Sequence, residues 1–270
     1  MSTMPSSIAP DLSARRVPGL GGFNFTALKL EVRRLTRNRR TVIISIVVPV
    51  VFFLFFGLNK QYAGQSAGPG AHGNVSAFVM ISLALYGAVL STTFCGAMVS
   101  IERAQGWSRQ LRLTPLSPVA YIIIKIMTAL VLGFCSVGAV YITGIVTHKP
   151  SMSVGLWIGT GFSVWIGSLL FAAFGLFLGY LLPAENVMQL LGLILALLSF
   201  AGGLFIPVSQ YAHTVQEIAK WTPLYGLNQL VHTPLLGNGV DWTWVVNVIA
   251  WLILFASGAV WRMRKDTARV

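Results

Sequence analysis

Two apolar runs, Ser76 to Ile101 and Val119 to Thr147, are each long enough to cross a hydrocarbon core of roughly 30 Å as a helix, and they meet at a polar, basic stretch, Glu102 to Pro118. Runs of this kind restrict the chain to a membrane fold. Composition agrees, since 55% of the 270 residues are hydrophobic and 10% are charged, with a mean hydropathy of +0.75. A soluble domain carries about 25% charge. The net charge of +12 would point a soluble protein toward nucleic acid, but in a membrane protein its placement counts for more than its sum. No nucleic-acid partner is expected. The fold class is an all-α polytopic membrane protein with six transmembrane helices, an N-terminal amphipathic interfacial helix and a short outer-leaflet helical segment before the last span.

In chain order, residues 1–23 are rich in Ser, Pro, Ala and Gly, carry Arg15 and Arg16, and read as a disordered cytoplasmic tail. Asn24 is a candidate N-cap for an amphipathic helix over 24–40. Phe25, Leu28, Val32 and Leu35 fall within about 80° of a helical wheel. Lys29, Arg33, Arg34, Arg37 and Arg40 fill the neighbouring arc, a basic face for anionic headgroups or an acidic partner. The transmembrane domain, 41–262, has spans at about 41–58, 76–101, 119–147, 153–182, 187–206 and 242–261, followed by a basic tail, 263–270. Pro49 predicts a local kink in the first span, with a neighbouring helix serving the freed carbonyl. Gly175 and Gly179 have GxxxG spacing and predict close approach of another helix. Between Pro207 and Asp241 the chain is too polar to span and too apolar to be a free loop. Val215, Ile218 and Ala219 share a helical face there, with Trp221 and Tyr225 expected at headgroup level.

Sixteen of the 19 Lys and Arg residues fall on one side of this arrangement, against Lys60, Lys149 and Lys220 on the other. The positive-inside rule then puts both termini in the cytoplasm of a cell, most simply a bacterial one, with the protein multi-pass in its plasma membrane. Lys125, about two turns into the third span, is expected to snorkel to the inner interface. Cys95 and Cys135 differ in depth by roughly 15 Å and are read as unpaired, inert thiols. No G-x-x-x-x-G-K-[ST] phosphate loop occurs, so the chain is not expected to be an enzyme or to bind ATP itself. The four histidines lack metal-ligand spacing, and neither a metal nor another cofactor is expected on this chain. The spans carry no charge at mid-depth, which disfavours an ion-coupled secondary carrier, kept as an alternative class.

The loop residues Glu102, Arg103, Gly106, Leu111, Thr114 and Pro115 match the pattern E-R-x-x-G-x-x-x-x-L-x-x-T-P, and Gly203, Phe205, Pro207, Gln216, Ile218, Ala219 and Pro223 match a second, later pattern. In these residues the chain resembles the membrane subunit of ABC-2 type ABC transporters (type V exporter-like), in particular the short permeases similar to daunorubicin-type drug exporters. The resemblance runs from Phe25 to Lys265. It departs from the family at Trp107, Ser108 and Arg109 in the loop and at Tyr211, Ala212 and His213 in the outer segment. It implies a second permease subunit, a pair of ABC ATPase subunits holding ATP and Mg, and export of an amphipathic drug, antibiotic or lipid-like compound. Polysaccharide export is the alternative among related permeases. It also implies that Glu102, Arg103, Gly106, Leu111, Thr114 and Pro115 couple the ATPase to the helices, and Arg33, Arg34 and Arg37 are expected to join them. A candidate substrate path lies on the second span, where Ser82, Tyr86, Thr93 and Ser100 fall within about 40° of one another, with Val89 completing the stripe.

Overall fold

The computed structural model describes residues 19–106 and 116–268. The long apolar helix α4 (Val75–Ala104) forms the middle of the bundle. Around it stand α2 (residues 39–57), α5 (Pro118–Thr147), the broken pair α6 (Val154–Gly167) and α7 (Leu169–Leu181), and α8 (Val187–Ala201). The last helix, α11 (Trp242–Ala268), lies outermost against α7 and α10 (Pro223–Leu236). Burial gives this order. The apolar window of α4 is 78% buried and that of α11 only 11%. The exposed side chains of α11, such as Val246, Ile249 and Ile253, suit hydrocarbon.

Four helices are long and apolar enough to cross a membrane, Val75–Ala104, Val119–Thr147, Val154–Leu181 and Trp242–Lys265. The other two expected spans are shorter apolar helices, Ile43–Gly57 and Val187–Ala201. Both nevertheless run along α4. Helix α2 starts beside the N-terminal helix α1 (Phe25–Thr36) and ends where Ser76 Oγ donates to the Gly57 carbonyl, 2.7 Å, at the opposite end of α4. Helix α8 leaves the end of α4 at which Ser100 Oγ donates to the Leu182 carbonyl. It finishes at Gly202 and Gly203, whose carbonyls both accept from the side-chain amide of Asn228 on α10.

Close packing of α4 on α7 rests on glycine. A Cβ built on Gly175 would lie 2.2 Å from the Thr93 carbonyl oxygen, and one on Gly96 would lie 2.6 Å from the Leu176 backbone nitrogen. The GxxxG pair of the fourth span thus seats α7 against the backbone of α4, as the spacing predicts. Pro49 behaves as expected too. Helix α2 alternates π-helical Ile43–Val47, α-helical Val48–Phe52 and π-helical Phe53–Gly57 around it. In α register a residue-49 N–H would serve the Ser45 carbonyl, and Ser136 Oγ of α5 donates to that carbonyl instead, at 2.7 Å.

The opposite end of the bundle is tied by Asn74. Its Oδ1 caps α4 by accepting from Ala77 N and also accepts from Ser151 N, while its Nδ2 donates to the Ala63 and Lys149 carbonyls. One side chain joins the end of the short helix α3 (Lys60–Gly64) to the turn after α5. The segment after Pro207 forms α9 (His213–Ala219) and then α10. Ala219 is buried, while Val215, Ile218 and Trp221 are exposed.

Three boundaries differ from the sequence expectation. Within the stretch expected as a tail, Gly19–Gly22 forms a 3-10 turn, and Ser117 N donates to the Gly21 carbonyl at 2.8 Å, docking it on the start of α5. Helix α1 stops at Thr36, with Arg37 as its C-cap, and helix resumes at Arg39. The fourth span is interrupted at Ser168, whose hydroxyl folds back onto the Trp165 carbonyl.

Replacing Gly175 by Val drives side-chain carbon into the α4 backbone and should cost about 1–3 kcal/mol, the range for overpacking. Thermal unfolding of the purified protein should show a lowered midpoint. Gly192→Ala, where an added Cβ meets nothing within 4 Å, is the control and should leave the midpoint in place.

Candidate functional site: a buried charge cluster at the arginine-rich end

Three helices bring five polar side chains together below the apolar core. Glu31 and Arg34 lie three residues apart on α1 and so share a face. Tyr121 and Lys125 lie four apart near the start of α5, and Glu102 is in the last turn of α4. One carboxylate oxygen of Glu102, Oε1, accepts from both Lys125 Nζ and Arg34 Nη2, and the other accepts from the Tyr121 hydroxyl. Glu31 Oε1 accepts from Lys125 and, at 3.0 Å, from Arg34. Lys125 is 1% exposed and Glu102 3%. Two acids and two bases balance. Neutrality matters here because an unpaired charge at this burial would carry a desolvation cost of several kcal/mol. Burial works against the Arg34 charge, but Glu102 and then Glu31 outweigh it and hold the guanidinium above its ordinary pKa.

Arg103, the next residue, points the other way, since successive helical residues are about 100° apart. Its Nη1 donates to the Tyr180 carbonyl at 3.0 Å and to that of Gly179 at 3.3 Å, and its guanidinium lies 5.5 Å from the Tyr180 ring centroid. These carbonyls end α7, so a cation there also meets the negative end of the helix dipole. Glu102 therefore holds α1 and α5, and Arg103 holds α7. Gly106 closes α4 at φ 75°, in the left-handed region that favours glycine at a helix C-terminus, and its N–H donates to the Arg103 carbonyl at 3.0 Å.

Leu111, Thr114 and Pro115 lie outside the described residues, as do Arg109 and Arg112. Of Arg33, Arg34 and Arg37, the structure brings Arg34 into the cluster and leaves Arg33 and Arg37 exposed. Lys125 is corrected: it does not snorkel to an interface but is enclosed, because Glu31 and Glu102 reach it inside the bundle. Sequence reasoning missed Glu31 and Tyr121. Glu31 was legible as the one acid between Asp11 and Glu102, set three residues before Arg34 on an otherwise basic helix.

The expected path residues separate. Ser82, Val89 and Thr93 are enclosed between helices, as is Ser100. Ser82 Oγ meets His232 Nε2 of α10 at 3.1 Å, and Thr93 Oγ1 donates to the Phe171 carbonyl of α7 at 3.4 Å. Their hydroxyls are taken up in helix packing within the subunit. Tyr86 alone of the five reaches the half-buried margin. Its ring stacks on Phe52 of α2, centroids 6.5 Å apart, and meets the edge of Phe205 at 5.1 Å. Phe56 and Phe200 extend this aromatic row at either end. Among the described residues, no group of three or more His, Cys, Asp or Glu is placed to hold a metal.

An all-helical bundle with four full-length apolar helices, cross-braced by ion pairs at its arginine-rich end, is a polytopic membrane protein. More particularly, the chain belongs to the ABC-2 type transporter family, whose model matches residues 24–233. It is also similar to YvfS of Bacillus subtilis (strain 168), a protein named as a transport permease, with 25% identity over 241 residues, covering 88% of this chain and 96% of that one. The match begins at the cap of α1 and ends in α10, so it includes every helix that contributes to the charge cluster.

Breaking the cluster from one side should be costly. Glu102→Gln or Lys125→Met alone leaves a buried charge short of a partner and should lose about 3–5 kcal/mol of stability. The double variant leaves Arg34 with Glu31 and should lose clearly less than the two single losses added. Thermal or denaturant unfolding of the purified proteins measures both. Strictly additive losses would show that Glu102 and Lys125 do not act on each other.

Proposed function

We propose that the chain is the membrane-spanning subunit of an ATP-driven exporter, paired with a second permease subunit and driven by separate ABC ATPase subunits that dock on its arginine-rich, cytoplasmic face. The observation that carries this reading is the divergent grip of Glu102 and Arg103. They stand at the root of the polar loop and hold α1 and α5 on one side and α7 on the other. A push on the loop is thereby delivered to three helices at once rather than to α4 alone. Family membership supports an ATPase partner in general terms. The loop residues Gly106, Leu111, Thr114 and Pro115, with the exposed Arg33 and Arg37, make up the proposed contact surface.

The substrate reading follows from the surface around Tyr86. The row of Phe56, Phe52, Tyr86, Phe205 and Phe200 joins α2, α4 and the turn after α8 and offers ring faces and one phenol, with no charged side chain in the row. Such a surface suits an amphipathic compound with a planar or aliphatic body, as in a drug, an antibiotic or a lipid-like molecule. The path is accordingly placed along Tyr86, with Ser82, Val89 and Thr93 setting the position of α4 behind it.

Copurification, ATP hydrolysis, transport and thiol labelling test this. The permease expressed with its ATPase should copurify with it, and ATP hydrolysis should rise with amphipathic aromatic compounds in a panel that also includes sugars and inorganic ions. Tyr86→Ala should weaken that stimulation by about tenfold, on the order of one lost aromatic contact. The charge-neutral double variant Glu102→Gln with Lys125→Met should keep its ATPase partner and lose transport. Export by that variant at the wild-type rate would remove the lever role. In a background lacking Cys95 and Cys135, Tyr86→Cys should react with a water-soluble maleimide, while Ser82→Cys and Thr93→Cys should stay unreactive without nucleotide. The reverse pattern would move the path to the far side of α4.

A further inference from the structure

A groove of about 320 Å³ opens between α1 and the last turns of α4, beside the charge cluster, with which it shares Arg34 and Glu102. Its apolar wall is Leu35, Met98 and Ile101, and its polar rim is Arg34, Arg37 and Gln105, with Asn38 where the chain turns toward α2. We infer that this groove is a binding site for an anionic phospholipid, with the phosphate held at the Arg34 and Arg37 rim and the glycerol end of the acyl chains against the apolar wall.

Three observations lead to this occupant. The first is charge. Glu102 also lines the groove, but its carboxylate is already engaged by Lys125, Arg34 and Tyr121, and the four ionised groups of the cluster sum to zero. Arg37 adds a positive charge that the cluster does not balance, and the exposed Lys29, Arg33 and Arg39 on the same segment add more. The rim therefore favours an anion, and the planar guanidinium fork matches phosphate oxygens. The second is the division of the groove into apolar wall and basic rim, which a free phosphate would use only in part. The third is continuity with the apolar surface. Asn38 on the rim leads directly into α2, where Ile43 and Val47 are exposed. An occupant whose head sits at the rim has apolar protein surface beyond it for its tails. Exposed Phe25 and Leu30 on α1 give the same helix further apolar contact at headgroup depth.

The inference concerns the permease alone and does not rest on the export reading. It is tested on detergent-purified permease without an ATPase, by native mass spectrometry during titration with dioleoylphosphatidylglycerol, dioleoylphosphatidylcholine or inorganic phosphate. The phosphatidylglycerol adduct should form at a concentration at least tenfold below that needed for phosphatidylcholine. Inorganic phosphate at the same concentrations should neither bind nor compete. Arg37→Ala, at an exposed side chain, should weaken phosphatidylglycerol binding about fivefold, the size expected for one interfacial cation. Gln105→Trp, also at an exposed position, should reduce it by obstructing the mouth without changing charge. Equal binding of the two lipids, or phosphatidylglycerol binding unmoved by both variants, would overturn the proposal. Competition by inorganic phosphate would make the site a free-anion site and overturn the lipid assignment. If Arg37→Ala instead spared lipid binding and lowered recovery of the ATPase, the groove would be a protein-docking surface and the lipid assignment would again fail.

Discussion

One carboxylate, that of Glu102, sets the geometry of the arginine-rich end. It is the common acceptor for a lysine from α5, an arginine from α1 and a phenol from α5, and Glu31 closes the ring by accepting from the same two cations. In water such pairs would be worth little, because solvent screens them and side-chain entropy opposes them. Here Lys125 and Glu102 are almost fully enclosed, so each charge depends on the others to be tolerated at all. That dependence is what fixes α1 to the bundle. An amphipathic helix held by an apolar stripe alone could slide along a membrane surface, whereas one whose Glu31 and Arg34 complete a buried neutral cluster has a single register.

The same economy of polar groups recurs through the apolar part of the bundle. Several irregularities of the backbone are met by a side chain from a neighbouring helix. Ser136 serves the Ser45 carbonyl beside Pro49, Asn228 serves Gly202 and Gly203 where α8 stops, and Arg103 serves the last carbonyls of α7. Hydrocarbon cannot supply these bonds, so a broken helix at membrane depth persists only against a partner that can. Helix α10 illustrates the result. Its Asn228 holds the end of α8, and its His232, one turn on, meets Ser82 of α4, so a helix too polar to span ties α8 to α4.

These ties give physical content to the proposed coupling. The polar loop leaves the bundle between Glu102 and Arg103 on one side and the start of α5 on the other, and the residues at both roots are bonded to helices other than their own. In the proposed coupling, movement would be shared among α1, α5 and α7 because buried ion pairs and helix-end bonds resist being broken singly. Some of this was legible beforehand. The pattern around Glu102, Arg103 and Gly106 marked the loop, Pro49 announced the irregular first span, and Gly175 with Gly179 announced a close crossing. Each is a local feature whose chemistry is carried by the residue itself. Ser82, Val89 and Thr93 were legible as a stripe but not as the inner side of α4, since a helical wheel shows which residues share a face and not what that face meets.

By itself, the sequence determined the class of the protein and the stretches that form its apolar helices. Length and apolarity are additive, local properties, and they suffice to require a helical membrane bundle. Only the tertiary structure decided that Lys125 lies inside a cluster rather than at an interface, and that Glu31, 94 residues away from it, is its partner. It also decided that Arg34, separated from Glu102 by 68 residues, turns inward while Arg33 and Arg37 stay out. The reason is that a buried charge is stable only where opposite charges converge from other helices. Which faces converge depends on how α1, α4 and α5 pack, a relation that no periodicity within one helix records.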